Sequence, residues 1–217
     1  MDVMTAFLLK IIASVSMLVD HTGVIFNTPD YFRSIGRIAF PIYAYMIAQG
    51  CLYTKDINKY LLRLLAFALI SEIPFSFAYF QGHPHYVNIF YTLFLGVACV
   101  VLYEKLKTKI NRFFAVLPAL PLLYIAETAG LDYGRIGVGL IFALYLANPE
   151  SRAGRTIVLT IGMLMLYRRN MERLMFAMVS VLLIFLYNGK QGHKAKWAFY
   201  VFYPAHITIL GAIRFIL

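Results

Sequence analysis

The sequence predicts an all-α, polytopic membrane protein, a bundle of about nine transmembrane helices. Three observations support this. Hydrophobic residues make up 61% of the chain and charged residues only 14%, against roughly 45–50% and about 25% in soluble domains. Apolar runs near the length of a bilayer crossing recur throughout, separated by short polar connections. The runs do not alternate between apolar and polar residues as barrel strands do, so their backbone must be satisfied within helices.

In order, the runs are residues 4–26, 37–53, 60–80, 88–104, 112–128, 134–148, 155–168, 172–188 and 198–217. The first, MTAFLLKIIASVSMLVDHTGVIF, is too long for a typical signal peptide and lacks a small-residue cleavage site, so it is expected to remain as a span. The second opens with RIAFPIYAY. The third contains SEIPF, where Pro74 is expected to break the helix. The fourth follows the loop QGHPHYVN and the sixth follows DYG. The seventh is the shortest, and the last begins in an aromatic interfacial belt of Trp197, Phe199, Tyr200, Phe202 and Tyr203. Short connections make neighbours antiparallel and imply a single domain, 1–217. No internal repeat is visible, which argues mildly against an inverted-repeat transporter.

The net charge of +10 has a topological cause. Lys55, Lys59, Lys105, Lys107, Lys109, Arg112, Arg152, Arg155, Lys190, Lys194 and Lys196 cluster in alternate connections. Positive-inside retention then places the N-terminus in the cytoplasm of a multi-pass cell-membrane protein. The loop 81–87 is expected outside and 105–112 inside. Arg168, Arg169 and Arg173 are the exception, falling on the outer side of this scheme. No basic face lies outside the spans, so nucleic acid is not an expected partner.

Ionisable groups at membrane depth are the functional candidates. Each costs roughly 2.5–3.5 kcal/mol on insertion scales and is retained for chemistry, transport or a buried pair. Asp20 and His21 lie late in the first run. Lys10, Ser14, Met17 and His21 share one helical face, while Asp20 lines up with Ser16 and Gly23. Asp20 is therefore expected to pair with an arginine on another span. His21 suits acid–base work near neutral pH. Glu72 is expected to line a polar cavity, with Arg37 as its best partner. Asn88 and Thr92 share a face suited to interhelical hydrogen bonds or substrate contact. DYGRIGVG lacks the order of a nucleotide loop and reads as close helix packing. Tyr203 and His206 share a face of the last run. His83 and His85 have no accompanying carboxylate or cysteine, so no metal is expected. Cys51 and Cys99 form no metal or disulfide pattern.

Taken together and in order, LKIIASVSMLVDHTG, RIAFPIYAYMIAQG, KYLLRLLAFALISEIPF, NIFYTLFLG, DYGRIGVGL and KWAFYVFYPAH resemble the TraX family of integral membrane proteins. That family is named for N-terminal acetylation of F-type pilin and is similar to the larger acyltransferase-3 group. The resemblance implies transfer of an acyl group, acetyl in the first instance, from cytoplasmic acyl-CoA to an amine or hydroxyl acceptor. The acceptor would be a protein N-terminus, a glycan or a small molecule at or beyond the membrane, with membrane lipid as the surrounding partner. It also implies a centre at Asp20 and His21, with Arg37, Glu72, Tyr203 and His206 contributing. Lys55, Lys59, Lys105, Lys107, Lys109 and Lys196 are the expected contacts for the CoA phosphates. A proton-coupled transporter or a non-catalytic assembly factor would also bury such groups.

Overall fold

The structure, a computed structural model, describes residues 4–79, 87–148 and 150–217. The described residues form α1 (Ala6–Ile25), α2 (Tyr31–Gly36), α3 (Ala39–Tyr53), α4 (Ile57–Tyr79), α5 (Ile89–Leu106), a 3₁₀ turn (Phe114–Val116), α6 (Ala119–Thr128), α7 (Gly134–Leu146), α8 (Arg152–Tyr167), α9 (Met171–Phe185) and α10 (Lys196–Ile216). Each predicted run holds one of these helices, and the six-residue α2 is additional. No strand occurs among the described residues, only isolated bridges between Met4 and Tyr187 and between Val87 and Leu131. His83 and His85 lie outside the described residues, within 80–86.

Four helices, α1, α4, α5 and α10, are long and apolar enough to cross a membrane. The others are shorter than these four. Pro118, for example, precedes α6, which has only 10 residues. The break expected at Pro74 does not occur: α4 continues through it, as α10 does through Pro204. Membrane helices tolerate proline because neighbouring groups can take up the freed carbonyl.

Capping explains several helix starts. The side chains of Thr5, Asn88, Ser151 and Asn170 accept from Leu8, Phe90, Gly154 and Arg173 N–H groups, respectively. This satisfies donors that a helix leaves unpaired. At the far end of the bundle, Arg214 donates to the Ile25 carbonyl at the close of α1.

Helix α1 packs on α2, α3 and α10; α5 packs on α4 and α7; α9 packs on α8, α2 and α3. Tyr45, Ile42, Leu64, Ile141 and Met163 fill the centre. Large apolar side chains such as Ile73, Phe77, Met171 and Leu182 face outward, as lipid-facing helices require. Small residues permit the closest approaches. A Cβ on Gly96 would fall 2.7 Å from Ile141, so α5 and α7 meet there almost backbone to side chain.

Each end of the bundle is tied across the chain. At one end the first turn of α1 donates from Ala6 and Phe7 to the Lys190 and Gln191 carbonyls, and Asn188 donates to Met4. At the other, Arg173 bonds both oxygens of Asp30, at 3.0 and 3.2 Å. The basic group after α8 thus shares an end with the α1–α2 connection.

Candidate functional site

One face of α1 opens a cavity of about 360 Å³ in the bundle, lined along that helix by Phe7, Lys10, Met17, Asp20 and His21. Lys10, Arg63, His193 and Lys196 surround one part of it, while Asp20, His21, Asp132 and Tyr203 line another. The helical register predicted for Lys10, Met17 and His21 is the register that faces this space. Ser14, from the same stripe, bonds the Tyr43 hydroxyl at 2.8 Å instead.

His21 meets His206 of α10, with Nδ1 of the first 2.6 Å from Nε2 of the second and the two rings parallel within 1°. His206 Nδ1 lies 2.6 Å from the Phe202 carbonyl. A carbonyl only accepts, so that nitrogen carries a proton. In the neutral pair, Nε2 of His206 must then accept from Nδ1–H of His21. The lone pair of His21 is left on Nε2, the tautomer of a base. This tautomer is assigned from the two contacts of His206. Tyr203 stands edge-on to both rings, with centroids at 5.7 Å.

Asp20 is held apart from this pair by arginines. Its Oδ1 takes Arg37 Nη2 at 2.8 Å and Arg33 Nη1 at 3.1 Å. Arg37 Nε also donates to the Arg33 carbonyl at 2.9 Å. The expected arginine partner is present, supplied by α2 and its C-terminal cap rather than by a long span. Gly36 makes the approach possible, since a Cβ there would fall 2.4 Å from Asp20.

The α6–α7 connection supplies Asp132 and Tyr133, from the DYGRIGVG segment expected to serve helix packing. Thr92 Oγ1 donates to the Asp132 carbonyl at 2.5 Å. Tyr133 has φ +64° and stacks on Phe40 at 3.8 Å, with the Arg37 guanidinium 6.0 Å from its ring. A left-handed tyrosine is strained, and such strain clusters at functional sites. Burial raises the Asp132 carboxyl to about 6, against the lowering pull of Arg37 and Arg33.

Other expected residues lie elsewhere. Glu72 does not meet Arg37, whose guanidinium is taken up by Asp20. It accepts instead from Asn88 Nδ2 at 2.6 Å and from Ser76, and it does not line the cavity. Of the lysines expected at the CoA phosphates, only Lys196 lines the cavity. Lys59 lies beside Asp56 and Lys107 beside Glu104. Lys55, Lys105 and Lys109 are not part of its wall. Lys10 and Arg63 are cavity cations that were not among the expected phosphate contacts. Among the described residues no three His, Cys, Asp or Glu side chains gather as metal ligands.

The model of the family described as TraX protein matches residues 6–214. The chain belongs to the TraX family. Among curated proteins it is 28% identical to "Probable fimbrial assembly protein FimC, serogroup H1" of Dichelobacter nodosus, over 98% of this chain and 97% of that one. It is 26% identical to an uncharacterised protein of Rickettsia prowazekii over 66% of this chain and 56% of the other. No solved structure matches. Family membership and the four long apolar helices make this TraX protein a membrane protein.

Proposed function

We propose that this TraX-family protein is a membrane acyltransferase that moves an acyl group from cytoplasmic acyl-CoA to an amine or hydroxyl at or beyond the membrane. A pilin N-terminus is one such acceptor. The observation that carries the reading is the cavity joining a cationic region to His21, whose ring is backed by His206. Lys10 and His21 are eleven residues apart on α1, about 16 Å along the helix axis. That suits an extended pantetheine arm with its phosphates beside Lys10, Arg63 and Lys196.

In this mechanism, Nε2 of His21 takes the proton of the acceptor nucleophile as it attacks the thioester carbon. The Tyr203 hydroxyl donates to the developing oxyanion. The tetrahedral intermediate collapses with cleavage of the C–S bond, and the His21 imidazolium returns its proton to the CoA thiolate. His206 passes its hold on the Phe202 carbonyl to His21, keeping the basic nitrogen toward the cavity. Asp20, neutralised by Arg33 and Arg37, fixes α2 against α1. The Lys105–Lys109 run sets topology, with the N-terminus inside.

The relative's fimbrial-assembly name also suits a non-catalytic assembly role. Purified protein in nanodiscs, given acetyl-CoA and an amine-bearing peptide, separates the two readings. CoA release that depends on both substrates is expected. Absence of release, together with no stabilisation by CoA, would overturn the enzyme.

A further inference from the structure

A second cavity, of about 230 Å³, adjoins the first, and Tyr53 belongs to the walls of both. Its other lining residues include Gln49, Glu150, Arg152, Arg155 and Asn188. Arg155 is 4% exposed, its guanidinium set 5.6 and 5.8 Å from the rings of Tyr45 and Tyr187. Its Nη1 donates to the Tyr45 hydroxyl at 2.9 Å and its Nη2 to the Tyr187 carbonyl at 3.3 Å, while Nε has no partner. None of the ion pairs among the described residues involves Arg155 or Arg152. A buried guanidinium that makes no direct ion pair is costly to keep. Here it borders a cavity with a second arginine at the start of α8, where the helix dipole adds positive potential. Glu150 opposes an anion, but its Oε1 is engaged by the Tyr53 hydroxyl at 2.5 Å. The two guanidiniums leave the cavity with one net positive charge.

We infer that this second cavity is an anion site that seats a phosphate of the donor's nucleotide head while the acyl-bearing arm occupies the first. The inference rests on the acyl-CoA reading above. Tyr53, whose hydroxyl holds Glu150, stands between head and arm. Arg155 supplies a fixed charge whose orientation is set by two aromatic rings. Arg152, exposed at the rim, closes on the phosphate from the other side.

The test is calorimetric binding of adenosine 3′,5′-bisphosphate, the head of CoA without its arm, to the full chain in nanodiscs of zwitterionic lipid. Saturable binding is expected, weakened at least tenfold by Arg152→Gln and tightened severalfold by Glu150→Gln. Arg155→Lys, which keeps the charge and loses the fork, should weaken it similarly. Arg155 also packs the core, so if that variant fails to fold the two rim variants decide. Affinity unchanged within twofold in both rim variants overturns the site, whether or not the protein turns over acyl-CoA. Binding that follows Arg152 and Glu150 in a protein that never releases CoA keeps the site and sinks the acyltransferase. In a second arm the disc contains phosphatidylglycerol. If this lipid abolishes bisphosphate binding to the parent, the cavity holds a lipid headgroup and the proposal is overturned.

Discussion

His21 Nδ1 and His206 Nε2 are 2.6 Å apart although they lie 185 positions apart in the chain. The pair joins the first helix to the last through a single proton, and the Phe202 carbonyl determines which nitrogen holds it. Replacing His21 by Ala should lower CoA release by about 10²–10⁴-fold, the usual contribution of a general base. Replacing His206 by Gln should cost less and change the shape of the pH–rate profile, because the tautomer of His21 is no longer imposed. Activity of His21→Ala within threefold of the parent would exclude the base role.

The Asp20 carboxylate holds two arginines. Asp20→Ala strands both charges beside α1, and breaking a buried pair from one side costs about 3–5 kcal/mol. Thermal unfolding in detergent should show a large drop for Asp20→Ala. Adding Arg37→Met to that variant should restore part of the loss. An Asp20→Ala protein as stable as the parent would mean that the ion pair does not hold α2 in place.

At Gly36 a single methyl decides the packing. A Cβ would lie 2.4 Å from Asp20, so Gly36→Ala must push α2 away from α1. Reduced stability and reduced turnover are expected together. Gly139, whose Cβ would meet only Leu123 at 3.7 Å, is the control and should accept Ala with little change.

Asp132 gives a pH dependence with a defined sign. Its folded pKa, raised to about 6 by burial, exceeds the unfolded value near ~3.9. The folded protein therefore binds the extra proton. This contribution to stability is full below pH ~4 and is lost as pH rises through about 6. Asp132→Asn should flatten the melting temperature across that window. If the parent and the variant show the same pH profile there, Asp132 is not protonated in the folded protein.

Orientation can be checked on a background in which Cys51 and Cys99, both buried and unbridged, are replaced by Ala. An impermeant thiol reagent applied to intact cells should label Arg169→Cys and leave Lys107→Cys unlabelled. The reverse pattern would invert the bundle and move the donor to the other side of the membrane.

Much of this architecture could be read from periodicity alone. Each apolar run became a helix, and the spacing of Lys10, Met17 and His21 placed them on the wall of one cavity. The arginine partner of Asp20 was expected because adjacent residues on a helix point about 100° apart, which kept Asp20 from His21. What escaped the sequence depends on distance or on loops. Arg37 could reach either acidic group by its place in the chain, and the unpredicted α2 brought it to Asp20. Asp132 and Tyr133 sit among glycines whose packing role masked them, and a left-handed tyrosine leaves no trace in composition. Arg155 looked like one more topology signal until Tyr45 and Tyr187 enclosed it.

The hydrogen bonds from Ala6 and Phe7 to Lys190 and Gln191 have a consequence for biosynthesis. As the ribosome delivers the chain, α1 enters the membrane with its first turn and its histidine both waiting for segments not yet made. Neither the cavity wall at Lys196 nor the imidazole that sets the proton on His21 exists until α10 has been inserted. A nascent chain stalled before α10 carries His21 without the imidazole that sets its proton. The His21–His206 contact therefore forms only after α10 has been made.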